Sequence, residues 1–147
     1  MAQFRKLLLA IDLSPLSELL IQRVREVCGD EMDHLYVIHV VTEGLHSIGE
    51  VDEDLSSVNA HRQHLLDQRT HRVHEFLLRA ELDIPAERIL LVLGEPACEI
   101  KKMANQIDAD LVIVGSHVKN NDWIQLPGAT TNCVIQGISS DVMAVKV

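Results

Sequence analysis

Five short aliphatic runs divide the chain, and most of them are continuous instead of alternating with polar residues. Continuous apolar runs are typical of strands that are buried on both faces, as in a parallel sheet. We therefore predict five strands, at residues 6–11, 34–40, 89–93, 111–114 and 142–147.

The segments between these runs carry helical signals. Ser14 followed by Pro15 is a favourable helix start, and Gly29 is a favourable helix end. Glu95 and Pro96 start another helix in the same way. A long helix is predicted at about 54–82 and a short one at 128–137. The residues expected to face the core are Leu16, Leu20, Val24 and Val27 in the first helix, Leu65, Leu66, Val73, Phe76 and Leu77 in the long helix, and Ala97, Ile100, Ala104 and Ile107 in the next.

Strands that alternate with helices predict an α/β protein with a doubly wound parallel sheet. The length of 147 residues fits one domain over residues 1–147. Ligands of such sheets bind beyond the carboxyl ends of the strands, where the strand order reverses. That edge would collect Asp12, Val40, Gly94 and Gly115.

Composition and charge indicate the type of core, the classes of binding partner and the cellular compartment. The chain is 47% apolar but only 3% aromatic, so an aliphatic core is expected. Its formal charge of −9 argues against nucleic acid or an anionic membrane surface. Three dispersed cysteines fit a reducing compartment, and no run has the length of a membrane span or of a signal-peptide core. We predict a cytoplasmic protein.

Glycines in the last third of the chain suggest a phosphate site. The apolar run at 111–114 breaks at Gly115, and Gly128 opens the short helix after a loop. A strand, a glycine turn and a helix start offer backbone N–H groups to an anion. No Walker A sequence, dinucleotide-binding fingerprint or nucleophile elbow is present, so these enzyme classes are not predicted.

Three blocks in sequence order give the chain a family resemblance. They are residues 8–14 (LLAIDLS), 38–40 (IHV) and the closing block, which begins at 110–117 (DLVIVGSH) and runs to Val147. With these blocks the chain resembles the universal stress proteins, small cytoplasmic α/β proteins, over essentially its whole length. The expected fold is a five-stranded parallel sheet of order 3-2-1-4-5 with two helices on each face. The resemblance also implies a homodimer that pairs the last strands, here Val142 to Val147, and an apolar edge strand favours such pairing.

ATP-binding members of that family carry a glycine, two residues, a second glycine, nine residues and then Gly-Ser or Gly-Thr. Here Gly115 and Gly128 match, but Val118 replaces the second glycine and Ala129 replaces the hydroxyl. A β-branched residue at positive φ and a lost hydroxyl contact together cost ~3–5 kcal/mol, two or more powers of ten in affinity. The resemblance therefore implies a weakened ATP site.

The resemblance assigns the candidate site to twelve residues: Ala10, Ile11, Asp12, Val40, Val114, Gly115, Ser116, His117, Gly128, Ala129, Thr130 and Thr131. Asp12 would lie near the base or ribose, and its alternative interpretation is a polar turn residue ahead of the first helix. The leading hypothesis is a dimeric protein that acts by binding, has a degenerate ATP pocket and is not an enzyme. One alternative is an ATP switch that orders residues 119–126 and changes an unidentified protein partner; another is a very slow ATPase. No metal site and no catalytic residue are predicted.

Histidines outside this site have simpler interpretations. His39 in an apolar strand is predicted to bond the backbone. His61, His64, His71 and His74 fall within about 140° of arc on the long helix at 100° per residue. No Cys, Asp or Glu is expected to complete a metal set on that side, so a solvated face is predicted.

Overall fold

The computed structural model describes residues 5–29, 34–42, 55–116 and 137–146. The elements within these ranges are β1 (Leu7–Ala10), α1 (Pro15–Cys28), β2 (Leu35–Val41), α2 (Leu55–Arg79), a short 3-10 turn (Ala86–Arg88), β3 (Ile89–Leu93), α3 (Pro96–Gln106), β4 (Leu111–Ser116) and β5 (Asp141–Lys146).

The five strands form one parallel sheet in the order β3-β2-β1-β4-β5, which confirms the predicted fold. β1 lies at the centre, where Leu9 is opposite Val37 of β2 on one side and Ile113 of β4 on the other. The chain therefore winds outward from β1 in both directions, and the strand order reverses between β1 and β4.

Two aliphatic clusters cover the faces of the sheet. On one face α1 and α2 pack through residues that include Ile21, Val24 and Phe76. On the other face α3 packs through Ala97, Ile100 and Ala104 onto Leu8 and Val112. Two described helices thus lie on one face and one on the other. Residues 128–136 of the predicted helix at 128–137, which would complete a pair on the second face, lie outside the described residues.

α2 and α3 end in the same backbone motif. At the end of α2 Leu82 N–H donates to Leu77 O and Glu81 N–H to Leu78 O, while Glu81 has φ of 57°. The end of α3 repeats this pattern, with Asp108 at φ 53°. This is the Schellman motif, in which glycine is the usual left-handed residue. The sequence predicts that the long helix reaches residue 82, and it stops three residues earlier because this motif ends it without a glycine signal.

The inward face of α1 differs from the prediction. Leu20 and Val24 are buried as expected, but Val27 is 53% exposed and Ile21 is buried instead. Ser17 is buried as well, and its hydroxyl bonds to Asp12. The side of α1 that carries Ser17 and Ile21 therefore faces the sheet, and Val27 lies outside the contact.

The predicted strand break at Gly115 is wrong. Gly115 pairs with Val145, and the ladder continues to Ser116 and Lys146. β5 runs alongside in the same direction and pairs with both residues, so the strand extends two residues past Val114. None of the helices in the described ranges is both long and apolar enough to span a membrane.

Candidate functional site

The carboxyl ends of β1 and β4 lie side by side where the strand order reverses. Leu9 and Ile113 are the last pair of this ladder, so the residues that follow them, Ala10–Asp12 and Val114–Ser116, lie at the same edge of the sheet. Val40 lies on β2, two residues beyond Ile38, which is opposite Ala10. Seven of the twelve predicted site residues are therefore gathered at this edge: Ala10, Ile11, Asp12, Val40, Val114, Gly115 and Ser116.

The loop from β1 to α1 is built around the Asp12 carboxylate. Its Oδ1 accepts the Ser14 N–H at 2.9 Å and the Ser17 hydroxyl at 2.7 Å. The Ser17 hydroxyl in turn accepts the Asp12 N–H at 3.2 Å. Asp12 therefore closes the amino end of α1, which is the geometry of its polar-turn interpretation.

This closure places a leucine in an unfavourable conformation. Leu13 has φ of 64°, a left-handed region that costs a residue with a Cβ roughly 1–2 kcal/mol. The Leu13 side chain packs against the α1–α2 cluster and offsets part of that cost. The neighbouring Ser14 is the N-cap, yet its hydroxyl makes no capping bond and is buried with no hydrogen-bond partner among the described residues.

His39 of β2 is bonded to the first residue of the same loop. It is 6% exposed, and its Nδ1 donates to the Ile11 carbonyl oxygen at 3.0 Å. The Ile11 N–H donates to Ile38 O, so β2 holds Ile11 on both its polar groups. The prediction of a structural histidine bonded to the backbone is confirmed.

The end of β3 carries a second polar group. The Glu95 carboxylate accepts the Cys98 N–H at 2.9 Å and caps α3. This hydrogen bond lowers the pKa of the Glu95 carboxyl from its ordinary value. The same carboxylate raises the pKa of the exposed Cys98 thiol, which is the opposite of the lowered pKa that activates a thiol.

The remaining predicted site residues, His117, Gly128, Ala129, Thr130 and Thr131, lie outside the described residues, as do Val118, the loop at 119–126 and Val147. Within the described ranges no group of three or more metal-binding side chains comes together in one chain.

Sequence reasoning missed two polar residues. Ser17 looked like an ordinary helix residue, and only its position five residues after Asp12 connects it with the loop. Asp67 was overlooked on the histidine face of α2, where it lies three residues after His64 and four before His71. The alternation of three- and four-residue steps is the signal that would have found it.

Comparison with known proteins decides the family. The sequence model of the universal stress protein family matches residues 3–146. The chain belongs to this family. A curated relative, universal stress protein A homolog 2 of Coxiella burnetii, is 30% identical over 148 residues, which cover 100% of this chain and 98% of that protein.

Solved structures share the fold. The structure of protein MJ0577 of Methanocaldococcus jannaschii superposes with a TM-score of 0.73 at 24% identity, over 97% of this chain and 96% of that one. A universal stress protein solved in complex with cAMP has a TM-score of 0.57 at 20% identity, over 97% of both chains. At these identities the likeness establishes the architecture of this universal stress protein and not its ligand.

Proposed function

We propose that this universal stress protein is a cytoplasmic homodimer that acts by binding, with a weakened adenine-nucleotide pocket at the edge between β1 and β4. The observation that carries the proposal is the reversal of strand order there, which gathers Ala10–Asp12 and Val114–Ser116. Open α/β sheets bind ligands at this position. The cAMP complex of a relative of the same fold makes an adenine nucleotide the first ligand class to test.

The described residues fit the sugar and base side of such a ligand. Ala10 and Val40 are half-buried at the edge and supply apolar surface. The buried Ser14 hydroxyl has no partner among the described residues, and a ligand oxygen there would complete its hydrogen bonding. Asp12 keeps its loop in shape through Oδ1.

The lower ATP affinity that we propose comes from the residues expected to contact the phosphates. Val118 and Ala129 stand where the family's ATP-binding members have glycine and a hydroxyl. Gly115 pairs inside β4, so the phosphate contacts would depend on the loop after β4, which has the β-branched Val118 three residues after Gly115.

Dimerisation through Val142–Val147 is supported by the position of β5. This strand is at the edge of the sheet and pairs with β4 on one side. Its Ala144 is exposed, and Val142 and Met143 are half-buried, so a row of small and apolar residues borders the open edge.

Nucleotide affinity tests the pocket directly. We expect no ATP or AMP in protein purified without nucleotide, and a small rise in melting temperature with millimolar ATP or cAMP. The double change Val118→Gly with Ala129→Ser should raise ATP affinity tenfold or more, whereas Val118→Ala with Ala129→Ser, which keeps the Cβ, should gain less. Co-purified nucleotide would show that the pocket is not weakened. Equal affinity in all three proteins would refute the roles given to these two positions.

A further inference from the structure

The solvent side of α2 carries a regular stripe of residues that the candidate site does not use. Successive members are four, three, four, three and four residues apart, and at 100° per residue they fall within about 80° of arc. They lie opposite the face that packs on the sheet through Val73, Phe76 and Leu77. The outer stripe of α2 consists of Ala60, His64, Asp67, His71, His74 and Leu78.

The outer stripe is accessible and carries the most exposed large apolar side chain among the described residues. Leu78 is 75% exposed. Ala60, His64, Asp67 and His71 are exposed as well, and His74 is half-buried. Asp67 Oδ1 accepts the Gln63 side-chain amide at 3.0 Å, which holds the carboxylate along the helix. Steps of three and four residues are the spacing at which one helix packs along another.

The order of residues along the outer stripe is symmetric about Arg69. A two-fold axis at this level, which relates two antiparallel copies of α2, sets each residue opposite the one equally far along in the other direction. Ala60 then faces Leu78 of the second copy, small against large. Asp67 faces His71 of the second copy, which is a complementary pair, and His64 faces His74 of the second copy. No pair places two carboxylates together, although the whole chain carries a charge of −9.

Protein contacts alone would make this a weak interface. Six residues from each copy are far fewer than the roughly 20–30 a side in a stable interface of standard size. A shared metal ion would stabilise the interface, because two copies together supply a set of metal-binding side chains that one copy does not. No group of three metal-binding side chains forms within the described part of a single chain. Across the pair, His64 and Asp67 of one copy face His71 and His74 of the other.

Three imidazoles and one carboxylate are a suitable tetrahedral ligand set for Zn²⁺. Ligands three residues apart on a helix are separated by about 4.5 Å along its axis, so each helix can offer two donors to one ion. The two-fold axis generates two such sets in each pair of chains.

We propose that two copies of this chain pair antiparallel through the outer stripe of α2 and bind two zinc ions, each held by His64 and Asp67 of one copy and His71 and His74 of the other. This association is separate from the proposed pairing of β5, which lies at the far edge of the sheet beyond β4. Zinc thus links copies, or links dimers already joined through β5.

Sedimentation velocity with and without zinc sulfate tests this proposal. The mass of the chelator-treated protein measures the association that needs no metal, including any β5 dimer. We expect one equivalent of zinc per chain to increase this mass at least twofold. His64→Ala and Asp67→Asn should lower zinc affinity tenfold or more and remove the mass increase. His61→Ala changes an exposed histidine of the same helix outside the outer stripe and should leave both unchanged.

Mixing two double variants tests ligation across the pair. His64→Ala with Asp67→Ala and His71→Ala with His74→Ala should each keep the metal-free mass when zinc is added. Their mixture contains one complete ligand set, so it should associate and bind one zinc per pair of chains. Unchanged mass of the wild type with zinc, binding of zinc without association, or a mixture that stays dissociated would overturn the proposal. Circular dichroism of each variant checks that these exposed changes leave the fold intact.

Discussion

The amino ends of α1 and α3 share a local sequence and are closed in different ways. Each begins with a polar residue followed by proline at the first helical position. At α3 the N-cap itself, Glu95, accepts the Cys98 N–H. At α1 the N-cap Ser14 makes no such bond; Asp12, two residues earlier, instead accepts the N–H of Ser14 itself and the Ser17 hydroxyl.

This difference distinguishes a helix start that is held by a local bond from one that is held by the loop at the carboxyl ends of β1 and β4. The Glu95 bond joins two residues three apart on the surface. The Asp12 bonds fix a buried serine and a left-handed leucine beside the point where the strand order reverses. A helix start at the candidate site thus depends on residues outside the helix, whereas the start of α3 depends on its own cap.

The largest effect is expected for Asp12→Ala. The change removes the acceptor of the Ser14 N–H and of the buried Ser17 hydroxyl, and we expect it to lower the free energy of unfolding by about 2 kcal/mol. Urea denaturation measures this loss. Asp12→Asn keeps an acceptor oxygen and should lose less than half as much. Equal losses in the two variants would mean that charge, and not the hydrogen bonds, closes the loop.

Glu95→Ala should cost about 1 kcal/mol, the usual value of an N-cap. Because the pKa of Glu95 is lowered in the folded protein, its contribution is present above the ordinary glutamate pKa and is lost as the pH falls through the lowered value. The difference in unfolding free energy between wild type and Glu95→Gln should therefore be largest near neutral pH and shrink in acid. A difference that grows in acid would contradict this assignment.

The smallest effect is expected for Ser14→Ala. Its hydroxyl makes no capping bond, so the free energy of unfolding should change by less than about 0.5 kcal/mol by urea denaturation. A loss of about 1 kcal/mol would show that Ser14 caps the helix after all and would remove the contrast with Glu95.

The sheet could be predicted from sequence because its strands are buried on both faces. The runs at 34–40 and 111–114 predict strands whichever neighbour they have, and alternation with helices makes the strands parallel. The family resemblance supplied the strand order.

Features that depend on tertiary bonds were harder to predict. Val27 fits the apolar stripe of α1 as well as Ile21 does, and only the tertiary packing of the helix shows that Ile21 faces the sheet and Val27 does not. Gly115 looked like a turn because its pairing with Val145 depends on a strand thirty residues later. The carboxyl edge could be predicted from topology, but the hydrogen bonds that shape its loop could not.

The central position of β1 has a consequence for how the protein is made. Lys6, just before β1, bonds to Asp110, just before β4, a partner 104 positions away. A chain growing from its amino end can pair β1 with β2 early, but the other side of β1 must wait until β4 leaves the ribosome. Until then the aliphatic edge of the first strand stays open, so the nascent protein is exposed to aggregation through most of its synthesis.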